Sequence, residues 1–159
     1  MCGIVGLFLK NEALQPELGT LTTLMVHEMV DRGPDSAGFA IYEAPAAATK
    51  ISCLSLTGDT DWAALSADIA QTIDDAVEVV EIEDHAILHT QGDGARARNR
   101  IIEIAPDVTV LSVGHAIELF KGIGDPDAMT SRFGLAERAG RHAIAHTRMA
   151  TESAVVIAG

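Results

Sequence analysis

Cys2-Gly3-Ile4-Val5-Gly6-Leu7-Phe8-Leu9 directly follows the initiator methionine, and its reading decides the fold. The run from Gly3 to Leu9 is short, apolar and part β-branched, which is the pattern of a buried strand. Termini are normally the frayed part of a domain. A chain that starts inside its own core points to a terminus with a task beyond packing.

Cys2 is the residue that could perform it. Methionine removal is favoured when the second residue is small, which would put a thiol and a free α-amine on one residue. An α-amine titrates near ~7.7–8.0, far below lysine, so it can take the thiol proton at neutral pH. A nucleophile served by its own terminal amine is a known activation device. The alternative is a small apolar residue that merely begins a strand.

Outward from this strand, Pro16 suits a first helical turn. Leu14, Leu18, Leu21, Met25 and Glu28 follow a +4, +3, +4, +3 walk, and Leu24 and Met29 widen the stripe. The helix should stop near Asp31-Arg32-Gly33-Pro34, because Pro34 pushes Gly33 out of the helical region. Ala37–Tyr42 and Lys50–Leu56 read as strands. Asp59 or Thr60 can cap a second helix, whose apolar face runs through Trp62, Leu65, Ile69, Ile73, Val77 and Val80. Asp84–Thr90 reads as a strand, Gly92-Asp93-Gly94 as a turn, Ala95–Ile104 as a helix and Val108–Val113 as a strand. Gly114 to Gly140 is expected to be irregular or helical, and Arg141–Met149 returns to strand. Mixed elements in this order indicate an α+β or layered α/β domain.

Two more segments carry chemistry-bearing residues. Arg32-Gly33-Pro34-Asp35-Ser36-Ala37-Gly38 combines a tight turn with a forked cationic donor; in isolation it reads first as an ordinary helix-to-strand turn. His146-Thr147-Arg148-Met149-Ala150-Thr151-Glu152-Ser153 ends an apolar strand in an arginine flanked by hydroxyls. That is either a bidentate clamp for a carboxylate or a solvated strand end.

Composition bounds the rest. The chain has 159 residues, 48% of them hydrophobic, so a packed core is affordable. Its formal charge of −12 argues against nucleic acid and anionic membrane surfaces as partners. Cys2 and Cys53 form no disulfide framework or zinc spacing, and no stretch reaches the ~18 apolar residues of a membrane span. With no basic leader before the apolar start, a cytoplasmic setting is expected. Gly122-Ile123-Gly124-Asp125-Pro126-Asp127 fits no nucleotide loop and reads as a turn, so no cofactor is implied. His85 and His89 would share a strand face without a third ligand. His27 is expected at the core edge, Cys53 as an inert buried thiol, and Asp74, Asp75, Glu78, Glu81, Glu83 and Asp84 as a solvated acidic face. His115 and His142 have no visible partner.

Taken together and in this order, Met-Cys-Gly-Ile, Arg-Gly-Pro-Asp-Ser-Ala-Gly and His-Thr-Arg-Met-Ala-Thr resemble the class II glutamine amidotransferases. These are N-terminal-nucleophile hydrolases with a four-layer α/β/β/α sandwich. The resemblance runs from Cys2 to about Ser153 and carries no motif between about Ser52 and Ala139. It is most similar to the glutamate synthase-like group, including the N-methylglutamate synthase amidotransferase subunit. It implies an α+β amidotransferase domain over residues 2–159, with glutamine as substrate and a synthase domain or subunit as ammonia acceptor. Cys2 would be the nucleophile, Arg148 the holder of the glutamine α-carboxylate, and Thr151 a support for the same end. Arg32 and Asp35 would pack behind the nucleophile. The Arg32 and Arg148 motifs disfavour the related N-terminal-cysteine amide hydrolases such as bile-salt and penicillin acylases.

The family also uses an Asn-Gly pair as oxyanion donor, and an acidic residue further on for the substrate amino group. Neither Asn11 nor Asn99, the only asparagines, precedes a glycine. The apolar end at 154–159 is read as the sign of a longer amidotransferase of which this is the N-terminal part. A non-catalytic fragment or interaction subunit of the same fold is the alternative. Losing one oxyanion donor typically costs ~2.7–4 kcal/mol, so the Met-processed polypeptide is expected to turn over glutamine poorly. Assaying glutamate release checks this, and turnover at ordinary enzymatic rates contradicts it.

Overall fold

The computed structural model describes residues 2–149. They form a mixed α/β structure with two antiparallel sheets, in two compact units. The first comprises the described parts of Met1–Ala44 and Leu119–Gly159, the second Pro45–Glu118. Among the described residues no helix is long and apolar enough to cross a membrane.

In the first unit, β1 (Gly3–Phe8) and β2 (Ser36–Tyr42) flank β8 (His142–Arg148), and β7 (Ile117–Ile123), of which residues 119–123 belong to this unit, lies outside β2. Period-2 alternation sorts each strand. Val5, Ala37, Phe39, Ile41, Phe120, Ala143, Ala145 and Thr147 are buried. Helices α1 (Leu18–His27) and α4 (Pro126–Arg132) pack on this unit. Phe133 joins the core, stacked on Phe120 at 5.4 Å and edge-on to Phe39 at 6.3 Å. The other face stays open, with Ile4 73% and Phe8 51% exposed.

The expected start of the helix at Pro16 is corrected. Glu12–Glu17 is a 3-10 turn, and α1 begins at Leu18. Leu14, Leu24 and Met25 are exposed, while Leu18, Gly19, Thr22 and Val26 are buried. Gly19 sets this rotation. Its N–H donates to the Arg138 carbonyl at 2.8 Å, which satisfies one of the helix's open donors. The missing Cβ lets the helix settle on the carbonyls of Leu135, Ala136 and Arg138.

In the second unit the order is β4 (Glu78–Ile82), β5 (His85–Thr90), β3 (Thr49–Ser55), β6 (Val108–Gly114). Helices α2 (Trp62–Ile73) and α3 (Gly94–Ile104) bury Trp62, Leu65, Ile69, Ile73, Ala97 and Ile101 against Ile51, Cys53, Ala86 and Leu88. Asp61, one residue past the expected caps, accepts from the Ala64 N–H, and Asp93 caps α3. On the opposite face of β3, the Lys50 ammonium meets the Glu118 carboxylate at 2.7 Å, both nearly fully buried.

Val77 and Val80 do not continue α2. The helix ends at Ile73 with Asp74 in the left-handed region (φ 56°), and Val80 lies in β4. Asp75 explains the break. Its Oδ2 accepts from the Thr90 hydroxyl at 2.6 Å and from the Gln91 and Gly92 N–H groups at 2.9 and 2.7 Å. These bonds, the Thr90 one foremost, hold its pKa below the usual carboxylate value. Asp75 is therefore a staple, whereas Glu78, Glu81 and Glu83 are exposed as expected. A further correction is β7, a strand inside the segment read as irregular or helical. Its buried positions are Glu118, Phe120 and Gly122, too mixed a set for a strand pattern.

Replacing Gly19 tests the α1 seat. Gly19→Ala would set a Cβ 2.6 Å from the Arg138 carbonyl oxygen, and backbone on both sides cannot yield cheaply. A loss of about 1–3 kcal/mol is expected in denaturant unfolding, against near neutrality for Gly6→Ala, where the Cβ meets open space.

Candidate functional site

β8 lies between β1 and β2, so its register fixes what meets at its end. Gly3 pairs with Thr147 and Ile4 with His146; Ser36 pairs with Arg148 and Ala37 with Thr147. Cys2 directly precedes the β1 end of the first register. Residues directly opposite in an antiparallel pair have Cβ atoms about 4.5–5.5 Å apart. Arg148 and Ser36 thus form one row at the strand ends, beside the end of β1 that Cys2 precedes. Thr147 is buried beneath the sheet, so the alternation puts Arg148 on the opposite, open face.

The Arg32–Ser36 turn is fastened to the same strand end. Pro34 bridges Arg148, and the Asp35 N–H donates to the Arg148 carbonyl at 3.0 Å. Gly33 lies so close that a Cβ would come 2.5 Å from the Arg148 nitrogen, an approach that glycine permits. The Asp35 carbonyl in turn accepts from the Gly124 N–H at 2.8 Å. Gly124 belongs to the segment read from sequence as a turn; its φ of +120° is the kind of backbone that only a glycine holds without strain. Arg32 is exposed on a short 3-10 turn, Val30–Arg32. Thr151 lies outside the described residues.

On the open face, a shallow groove of about 200 Å³ adjoins this row. Gly38 and Ala40 line it between Leu119 and Ile144, with His146 and Lys121 as its cationic or titratable members. A small molecule with a carboxylate could meet Arg148 at the strand end while the rest of it lies near Cys2.

The two thiols occupy opposite environments. Cys2 is exposed. Cys53, in mid-β3, is fully buried, and desolvation pushes its thiol up to about 12, the inert state expected of it. His27 corrects its expectation. It is exposed, not at the core edge, and its Nδ1 meets Asp127 Oδ2 at 2.7 Å. That hydrogen bond raises its pKa. His142 stacks on Tyr42 at 4.6 Å, and His115 Nδ1 lies 3.2 Å from the Ala48 carbonyl. His85 is buried with Nδ1 2.8 Å from Asp84, four residues along β5 from His89. Among the described residues no group of three or more His, Cys, Asp or Glu could hold a metal ion.

No family model matches the chain. It is 41% identical over 160 residues to the glutamine amidotransferase-like protein GlxB of Rhizobium meliloti (strain 1021), covering 100% of this chain and 53% of that protein. It is 32% identical over 165 residues to a protein of Methanothermobacter thermautotrophicus (strain Delta H) provisionally named a glutamine amidotransferase, covering 98% of this chain and 54% of that protein. The chain spans about half the length of the curated relatives it matches. Both support a relationship to the glutamine amidotransferases.

The contrast between the thiols is directly measurable. Native protein treated with iodoacetamide near pH 8 should gain one adduct, at Cys2, with Cys53 alkylated only after denaturation. Peptide mapping reads the outcome, and modification of Cys53 in the native state would contradict the burial described.

Proposed function

We propose that the chain carries the glutaminase part of a class II glutamine amidotransferase, with Cys2 as an N-terminal nucleophile. One observation supports the reading: β8 pairs Thr147 with Gly3, the residue after Cys2, and Arg148 with Ser36, and the Gly33–Asp35 turn packs on the same strand end. Three segments far apart in sequence meet there, and they are the three that bear the chemistry.

In this reading methionine removal frees the Cys2 α-amine, which takes the thiol proton. The thiolate Sγ attacks the side-chain amide carbon of glutamine, and a tetrahedral oxyanion forms. The α-ammonium returns the proton to nitrogen as the C–N bond breaks, so ammonia leaves and a γ-glutamyl thioester remains. Water, deprotonated by the same amine, splits the thioester to glutamate and restores the thiol. The Arg148 guanidinium would grip the α-carboxylate with two parallel bonds, Thr151 would support that end, and Arg32 and Asp35 would stiffen the turn behind the nucleophile. A synthase-type partner, of the glutamate synthase-like kind, would take the ammonia. A reducing cytoplasm suits a free catalytic thiol.

The second reading is a non-catalytic fragment or interaction subunit of the same fold. A glutamine-like diazo-ketone separates the two. Intact-mass analysis should show a chain lacking Met1 with a single adduct at Cys2. Arg148→Ala should slow that labelling about 10- to 100-fold, the usual weight of a lost charge-assisted pair. Retained Met1, or an adduct on Cys53 alone, would leave the non-catalytic reading standing.

A further inference from the structure

Beneath the strand end that carries Arg148 and adjoins Gly3, the three site segments share one contact residue. Met29 sits just past the end of α1, where sequence periodicity assigned it only to an apolar stripe. Its carbonyl accepts two hydrogen bonds, from the Arg32 N–H at 3.0 Å and from the Thr147 hydroxyl at 3.2 Å. A Cβ on Gly3 would fall 3.1 Å from Met29 Cβ and 3.2 Å from its Sδ. The same Cβ would fall 2.7 Å from Thr147 Oγ1. One residue thus touches the neighbour of Cys2, the start of the turn, and the neighbour of Arg148.

We infer that the Thr147 hydroxyl and the Met29 carbonyl form a latch that positions Arg148 and the Arg32–Ser36 turn relative to Cys2. Thr147 is 1% exposed on the helix side of the sheet, so it cannot reach a ligand on the open face. Its effect passes through the backbone. Anchoring residue 147 below the sheet sets the pitch of residue 148 above it, and the shared carbonyl ties that strand end to the turn. Gly3 and Gly33 are the small residues that let both neighbours close on this point. Thr147 and Met29 are positioning residues, and their role deepens the glutaminase reading, on which it rests. Misplacement by about 1 Å can cost on the order of 100-fold in a catalytic site, so a modest hydrogen bond can have a large effect here.

Thr147→Val keeps the shape and removes the donor, while Thr147→Ser keeps the donor. In the Val variant, the concentration of diazo-ketone needed for half-maximal labelling of Cys2 should rise about 10-fold. The iodoacetamide rate at Cys2, which needs no carboxylate grip, should stay within about 2-fold, and Thr147→Ser should restore the wild-type concentration dependence. Amide exchange at Arg32, Gly33 and Asp35 should accelerate in the Val variant and not in the Ser variant. Wild-type protein that the analogue does not label refutes the glutaminase reading; the exchange data then still decide whether the latch exists. Unchanged exchange and unchanged labelling in Thr147→Val overturn the latch. An equal loss in the Ser and Val variants assigns Thr147 to packing and overturns it as well.

Discussion

The first unit depends on the antiparallel seating of β8 between β1 and β2. A strand flanked on both sides has its register specified twice, and a slip of one residue would move every side chain to the wrong face. Here the slip would bury Arg148 and expose Thr147, with Ala143 and Ala145 leaving the core. The hydrophobic pattern that holds the sheet together is therefore the same pattern that aims Arg148 at the open face. The end of the row is closed by glycines, because Gly3 and Gly33 approach β8 more closely than a side chain permits.

Charge is handled differently in the two units. In the second, Lys50 and Glu118 are buried as a pair, where mutual attraction offsets desolvation and each depends on the other. Other acidic residues there line the edge strand β4, work as caps and staples, as Asp61, Asp75 and Asp93 do, or pair with Arg100, as Asp68 and Glu103 do. Unpaired like charge on an edge strand also discourages pairing with another chain. In the first unit, the Arg148 carbonyl and N–H side are engaged by the turn through the backbone, and the guanidinium is carried at the strand end.

Much of the candidate site is legible in residue types, and much of the fold around it is not. Cys2, the Arg32–Ser36 turn and Arg148 stand out because their chemistry is written in residue types. Strands β1, β2, β3, β5, β6 and β8 follow from alternation or short apolar runs. β7 was hidden by Glu118 and Gly122, which occupy buried positions for reasons of pairing and close contact. Strand β4 was hidden because Val77 and Val80 keep step with the helix before them, and only the hydrogen bonds from Thr90, Gln91 and Gly92 to Asp75 end that helix. Met29 and Thr147 look ordinary in sequence, since a carbonyl acceptor has no residue type.

By itself the sequence determined the ingredients: a thiol next to the initiator methionine, a Gly-Pro turn with an arginine, an arginine at the end of an apolar strand, and a mixture of helices and strands around them. Local preference suffices for these, because each depends on residues within a few positions of one another. The tertiary structure alone decided that three segments spread over nearly 150 positions share one strand end, that α1 turns Gly19 and not Leu21 or Met25 to the core, and that one carbonyl joins the turn to the strand. Those outcomes come from register, close backbone approach and non-local hydrogen bonds, none of which leaves a periodic signal in the chain.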